Sequence, residues 1–187
     1  MKKSIALILI ASSLTISAQS ASAADWEFLP IVDDDYQYDP QLSLILGSMS
    51  PSDGDSGSMN GIEFSLNCPL LKAPGGVIRQ QISVASYDEG GVEITSFELN
   101  PHYQINLAPN LDFGFGPGFG YVMTEGPGID ESAISLQAGA SLSYTVGQGV
   151  IAGEARYQMM LSDIELNNGD EVDLNNTRLM IKLGYRF

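Results

Sequence analysis

The sequence predicts an all-β fold, an eight-stranded antiparallel up-and-down barrel that crosses a membrane. Three observations lead to this prediction: apolar residues recur at every second position, turn residues interrupt these runs regularly, and no long helical pattern separates them. After the N-terminal stretch the chain has no apolar run long enough for a membrane-spanning helix, so insertion would require a closed barrel. The predicted barrel covers residues 41–187.

The first 23 residues have the pattern of an export leader. Lys2 and Lys3 precede an apolar stretch at 5–16, and Ala21-Ser22-Ala23 supplies the small residues at which cleavage occurs. About a dozen apolar residues are too few to span a membrane, so we expect cleavage after Ala23 and not an N-terminal anchor. Residues 24–40, with three consecutive aspartates, are predicted to be an acidic lead-in and not a ninth strand.

Alternation places the eight strands and shows two interruptions. In the fifth strand, for example, bulky residues from Leu111 to Tyr121 alternate with Asp112 and a row of glycines. Pro101 and Pro117 lie inside strands, where each removes a backbone donor and implies a bulge or locally open pairing. The predicted strands are 41–49, 62–68, 77–87, 95–105, 111–121, 134–144, 150–161 and 178–187.

The size of the barrel indicates which face points inward. An eight-stranded barrel is only just wide enough for its own side chains, so the bulky aromatic and aliphatic rows would overfill it. The faces of glycine and polar residues would fit, and the bulky rows would then face lipid. The alternative is a soluble, lipocalin-like barrel whose cavity holds some of the bulky groups.

The inward phase contains four acids and four bases. Charges inside a narrow barrel are costly unless they are paired, which favours a network that closes the lumen and fixes the strand register. The alternative is a gate or a narrow pore. Because one hairpin joins the last two strands, we expect Glu154 to pair with Lys182 or Arg186. The predicted set is Glu63, Arg79, Glu98, Asp112, Glu154, Arg156, Lys182 and Arg186.

The composition excludes several classes of protein. A net charge of −15 disfavours nucleic acid, and the single cysteine, Cys68, cannot form a disulfide within the chain. The single histidine, His102, cannot build a metal site made of several histidines. Ser96 or Ser141 could complete a Ser-His-acid arrangement on paper, but we expect His102 to be a hydrogen-bonded lumen residue and Cys68 a small apolar residue facing lipid. No catalytic residue, metal site or cofactor is predicted.

Two stretches resemble known bacterial barrels. The ending Lys182-Leu183-Gly184-Tyr185-Arg186-Phe187 resembles the C-terminal signal by which the barrel-assembly machinery recognises outer-membrane barrels. Residues 100–103 followed by 113–121 resemble the middle hairpin of small OmpA-like or OmpX-like barrels. The resemblance implies an outer-membrane location and an assembly role for Lys182, Gly184, Tyr185 and Phe187. We expect a monomer, and we expect no peptidoglycan-binding domain like that of the larger OmpA relatives, because the chain stops at the last residue of the barrel.

We expect a structural, envelope-integrity or surface-interaction role and not an enzyme, because the sequence supplies no convergent cluster of nucleophile and base near the outer rim. The alternatives are a lipid-modifying barrel enzyme and a narrow channel. Tyr103-Gln104, which follow His102, do not match the His-x-Ser pattern of lipid A deacylases.

The connections between strands differ in predicted length and charge. Both termini would lie in the periplasm, which would place connections 50–58, 88–91, 124–132 and 162–175 outside the cell, and the shorter 69–76, 106–110 and 147–149 inside. Together with Glu93, just after 88–91, the outer set has thirteen acids and no base, typical of a solvated face. Its contact with lipopolysaccharide phosphates would need divalent cations. The alternative to a solvated face is a dedicated Ca²⁺-binding turn, formed by residues 167–171. The acids are Asp53, Asp55, Asp88, Glu89, Glu93, Glu125, Asp130, Glu131, Asp163, Glu165, Asp170, Glu171 and Asp173.

Overall fold

A computed structural model describes residues 26–162, 164–165 and 171–187. None of the helical structure in these residues is both long and apolar enough to cross a membrane. The predicted leader at 1–23, together with Asp163 and Asp170, lies outside the described residues, and so does most of the predicted Ca²⁺ turn. A single 3-10 turn, Pro30–Val32, follows the first strand. The strands are β1 Glu27–Phe28, β2 Gln41–Pro51, β3 Gly57–Asn67, β4 Leu71–Lys72, β5 Val77–Glu89, β6 Val92–Ala108, β7 Leu111–Gly126, β8 Ile129–Val146, β9 Gly149–Met160, β10 Ile164–Glu165, β11 Glu171–Val172 and β12 Asn176–Arg186.

Eight of these strands close into a barrel, which confirms the predicted fold class. The order around the barrel is β12-β2-β3-β5-β6-β7-β8-β9, and every neighbouring pair is antiparallel. The first and last barrel strands pair along their whole length, from Asn176 opposite Pro51 to Arg186 opposite Gln41. Closure leaves no free edge strand, as a membrane-spanning sheet requires.

The side chains alternate as predicted, with the bulky rows on the outside. Large apolar groups are exposed on every barrel strand, for example Leu44, Ile82, Phe119 and Leu179. The inward row of β7 instead contains glycines that leave room for lumen side chains: a Cβ on Gly120 would lie 2.5 Å from the Ser135 Oγ atom. The soluble alternative, with the bulky rows inside, is therefore wrong.

The predicted difference in connection length is wrong for most of the barrel. We call the end where β2 begins and β12 ends the terminus end, and the opposite end the loop end. At the loop end β7 and β8 continue to a two-residue turn at 127–128, whereas a loop was expected over 124–132. Gly128, with φ of 79°, permits this tight turn. At this end of β7 and β8 the residues are polar, as in a loop, but their backbones remain paired as strands.

The N-terminal segment is not the plain lead-in that was expected. Glu27 and Phe28 form β1, which pairs with β4, outside the barrel. Cys68 was predicted to face lipid, but it is buried beneath this segment, in a groove lined by Pro30 and Tyr36. The Cys68 N–H bonds the Ile78 carbonyl at 2.7 Å and so continues the β3–β5 register, which means that Cys68 lies beside the outward Ile78 but is covered by the N-terminal segment and not by lipid.

The lumen is filled in two zones. Toward the loop end lies an apolar cluster, and the middle of the barrel contains buried charged and polar side chains. An apolar plug above a charged layer leaves a closely packed core, as the narrow diameter of an eight-stranded barrel requires. The cluster consists of Ile45, Met49, Met59, Ala85, Tyr87, Ile94, Val122, Ile129, Ala133, Leu174 and Met180.

Candidate functional site

The most distinctive site is a chain of ion pairs across the lumen, which we call the lumen network. Inward positions of four strands supply it: β3, β6, β9 and β12. Arg156 bridges Glu98 and Glu154, and its Nε atom donates to Glu154 Oε1 at 2.8 Å. The Lys182 ammonium bridges Glu63 and Glu154, with 2.7 Å between Lys182 Nζ and Glu154 Oε2.

Arg178 is a member of the lumen network that the sequence analysis left out. Its guanidinium pairs with Glu98, its Nε atom donates to Asn176 Oδ1 at 2.9 Å, and its side chain is 1% exposed. The sequence pattern could have predicted this, because Arg178 lies four positions before Lys182 and alternation places both residues on the same face of the strand. With Arg178 included, the network is neutral, since three carboxylates (Glu63, Glu98, Glu154) meet three bases (Arg156, Arg178, Lys182).

Neutral side chains complete the hydrogen bonding of the network. Ser96 Oγ donates to Glu98 Oε1 at 2.9 Å, and Ser83 Oγ lies 3.4 Å from Glu98 Oε2. Gln158 accepts from Asn176 Nδ2 at 3.0 Å and also from Arg178. A buried ion pair needs such additional partners, because an incompletely satisfied charge loses its hydration without replacement.

Three residues of the predicted set lie outside this network, toward the terminus end. Arg79 donates to Asp39 Oδ2 at 2.8 Å, and Arg186 Nε lies 3.4 Å from Asp39 Oδ1. Asp112 accepts a 3.0 Å hydrogen bond from Asn106 Nδ2. Of the two partners expected for Glu154, the structure places Lys182 beside it, while Arg186 pairs with Asp39.

His102 is not the satisfied residue that was predicted. It is 1% exposed, and its Nδ1 atom has no hydrogen-bond partner among the described residues. Neither Ser96 nor Ser141 hydrogen-bonds to it in that part of the chain, and Ser96 instead donates to Glu98. On β7 the position opposite His102 is Gly116, which has no side chain to offer. On β5 the opposite residue is Arg79, whose guanidinium donates to Ser65 and Asp39 instead.

The loop end presents a row of four acids on adjacent strands. The register places Asp88 opposite Glu93, Glu93 opposite Glu125, and Glu125 opposite Asp130, and all four are exposed. Among the described residues no group of three or more His, Cys, Asp or Glu side chains has the geometry to hold a metal ion. We call these four residues the acidic row.

The predicted assembly residues lie at the end of β12. Gly184 points inward, where a Cβ would lie 2.6 Å from Ser43 Oγ, and Lys182 belongs to the lumen network. Tyr185 and Phe187 point outward, with ring centroids 6.0 Å apart, and the Phe187 N–H donates to the Pro40 carbonyl at 3.1 Å. Their role in assembly stays a prediction.

The free space differs between the two ends of the lumen: a cavity of about 160 Å³ at the loop end is lined by Tyr87, Ile94 and Leu174 among others. Between the network and the terminus end lies a cavity of about 20 Å³, lined by Glu63, Arg79 and Lys182 among others. A single water needs roughly 10–15 Å³ of such space, so this cavity has room for about one molecule.

Solved structures share this architecture. No protein-family model matches the sequence, and no curated protein matches it. Neisserial surface protein A aligns at a TM-score of 0.57 and 13% identity, over 80% of this chain and 97% of its own. The attachment invasion locus protein Ail of Yersinia pestis gives 0.51 and 14%, over 81% and 100%. The outer-membrane enzyme PagL gives 0.51 and 13%, over 79% and 99%.

The closed barrel with its apolar outer face has the fold of small bacterial outer-membrane β-barrels. At such identities the likeness concerns the fold alone. Because barrels of this shape include an enzyme, the fold does not decide whether this chain is catalytic.

Proposed function

We propose that this protein is a closed outer-membrane barrel with a structural, envelope-integrity or surface-interaction role, and that it neither conducts nor catalyses. The observation that supports the proposal most directly is the neutral lumen network, with only about 20 Å³ of free space beside it. An ion path would require water alongside these charges, and the apolar cluster at the loop end opposes one.

The partners that follow from this proposal are those of the envelope. Outer-membrane lipid would cover the exposed apolar rows, and the barrel-assembly machinery would recognise the segment from Lys182 to Phe187. Lipopolysaccharide would meet the acidic row only through divalent cations, because its phosphates and these carboxylates repel each other.

A conductance measurement tests the closed lumen. The protein extracted from outer membranes is added to planar lipid bilayers, and its change of gel mobility on boiling shows that the barrel is folded. We expect no current steps from the wild-type protein. Reproducible steps that disappear after heat denaturation would contradict the proposal and favour a narrow channel.

Complementation separates the structural role from catalysis. A deletion strain should become more sensitive to detergent, and the wild-type gene should restore resistance. His102→Ala and Ser141→Ala should restore it equally well at matched protein levels, because neither side chain belongs to the lumen network. If His102→Ala fails to restore resistance while it accumulates as a folded barrel, a catalytic role is favoured over the structural one.

A further inference from the structure

The residues before the barrel form a fixed strap at the terminus end, comprising residues 26–39. The Leu29 N–H bonds the Leu70 carbonyl at 2.9 Å, and Lys72 Nζ lies 2.7 Å from Glu27 Oε2. Farther along, Asn67 Nδ2 donates to the Gln37 carbonyl at 2.8 Å, and Arg79 donates to Asp39. The strap is therefore held to the connection at 68–76 and to the barrel at several points.

One side of the strap is strongly apolar and unpartnered. Phe28 is 78% exposed and Val32 76%, although each belongs to a residue type that is usually buried. Several large apolar residues exposed within one short segment indicate an interaction site. The exposed apolar residues of the strap and the adjoining connection are Trp26, Phe28, Leu29, Ile31, Val32 and Leu70.

The strap lies against the lipid-facing side of the barrel wall. A groove of about 200 Å³ separates the two, lined by Pro30, Asp33, Asp35 and Tyr36 from the strap and by Ile78 from β5. Ile78 belongs to the outward row of β5, because Arg79 and Gln81 point inward. The strap therefore adjoins the surface that lipid covers.

The charges of the strap agree with a position at the membrane surface. Glu27, Asp33, Asp34, Asp35 and Asp39 are acidic, and no strap residue is basic. Hydrogen bonds to Asp33 and then to the Lys72 ammonium hold the pKa of Glu27 below its usual value. Such a segment has no electrostatic attraction to anionic headgroups, so its association with a bilayer would depend on apolar burial.

We propose that the strap is an interfacial anchor, whose apolar side enters the lipid leaflet at the terminus end while its aspartates stay in water. The occupant is lipid because the strap adjoins the lipid-facing surface of the barrel. Trp26 lies at the start of the patch, and aromatic residues favour this depth in a membrane.

The sequence provides its own probe, because Trp26 is the only tryptophan. The protein extracted from outer membranes is reconstituted into phosphatidylcholine vesicles whose acyl chains are brominated either near the headgroup or near the methyl end. We expect blue-shifted Trp26 emission, quenching by the shallow bromines that exceeds quenching by the deep ones, and little quenching by aqueous iodide. Equal Trp26 emission and quenching in these zwitterionic vesicles and in vesicles with added phosphatidylglycerol would agree with apolar burial.

Two variants make the test specific. The double variant Phe28→Ser/Val32→Ser should lose bromine quenching and gain iodide quenching while the gel mobility of the barrel stays heat-modifiable. The control Asp34→Asn, at an acidic position of the strap, should leave bromine quenching and iodide quenching unchanged. Strong iodide quenching of the wild-type protein in vesicles would overturn the proposal; if Trp26 were then shielded in native outer membranes, a protein and not lipid would cover the strap.

Discussion

Pro101 lies directly opposite Pro117 on the neighbouring strand. β6 and β7 pair in one register at Leu99 opposite Phe119 and again at Tyr103 opposite Phe115, and the three rungs between them are missing. Neither proline has a backbone N–H. Both missing donors therefore belong to one pair of opposing residues. The locally open pairing that each proline implied is thus a single break, confined to one place in the barrel wall.

Restoring both donors should stabilise the barrel. Pro101→Val and Pro117→Val together can form two backbone hydrogen bonds, and we expect a gain of about 1 kcal/mol in the free energy of unfolding. Each single variant should gain less than half of this, because the remaining proline still prevents complete pairing at that position. Urea unfolding in lipid vesicles measures the difference. Ala138→Val, on the outward face opposite Pro117, is the control without a new donor; an equal gain there would contradict the explanation.

Lys182 should be the most sensitive member of the lumen network. Glu63 has no other ion-pair partner among the described residues, so Lys182→Met leaves that carboxylate buried and alone. We expect a loss of roughly 3–5 kcal/mol in the free energy of unfolding, the range for a broken buried pair. Adding Glu63→Gln should recover part of the loss, because the double variant keeps two acids and two bases. Strictly additive losses would reject the pairing, and Arg186→Met at the terminus end is the matched control.

Removing Glu154 should be milder than removing Lys182. After Glu154→Gln, Arg156 keeps Glu98 and Lys182 keeps Glu63, so each base still has an acid. The network then carries one excess positive charge without an isolated ion, and we expect a smaller loss than for Lys182→Met. The same urea titration decides the order, and a larger loss for Glu154→Gln would show that Glu154 is the central acid.

The acidic row should be a source of repulsion. Glu125 lies between Glu93 and Asp130, and like charges directly opposite each other destabilise a sheet. Glu125→Gln should therefore stabilise the barrel by about 0.2–1 kcal/mol at low salt, with a smaller gain at high salt because the charges are screened. Glu131→Gln is the control, because Glu131 faces Thr124. Equal gains from both variants would indicate net charge as the cause.

The period-two pattern predicted the barrel, the number of strands and the direction of the bulky rows, because a closed sheet in lipid leaves no other consistent arrangement. It also predicted the inward phase of Glu98 and Lys182. Pattern alone could not say which inward charges meet, since that depends on the stagger between strands. Asp112 and Arg186 share the phase but lie too near the terminus end to join the network.

The remaining errors occurred where strand periodicity ends. Cys68 follows the last residue of β3 and is covered by the strap, which alternation does not describe. The stretch at 124–132 has the polar composition of a loop, yet its backbone stays paired almost to the turn. Among the described residues the Nδ1 atom of His102 lacks a hydrogen-bond partner, because Gly116 lies opposite on β7 and the opposite β5 residue, Arg79, donates elsewhere; this depends on the neighbouring strands and not on His102 itself.

The last residue should matter more for biogenesis than for folding. Phe187 is 61% exposed on the lipid-facing side, and its backbone N–H donates to the Pro40 carbonyl, a contact that a side-chain substitution retains. We expect Phe187→Asp to lower the amount of folded barrel in the outer membrane, while urea-denatured protein still refolds into vesicles with only a modest loss of stability, since a charge near the interface costs about 0–1 kcal/mol. Phe187→Tyr, which keeps a terminal aromatic residue, should accumulate normally. Normal outer-membrane levels of Phe187→Asp would reject the assembly signal, and failure of its refolding in vesicles would assign the defect to the barrel itself.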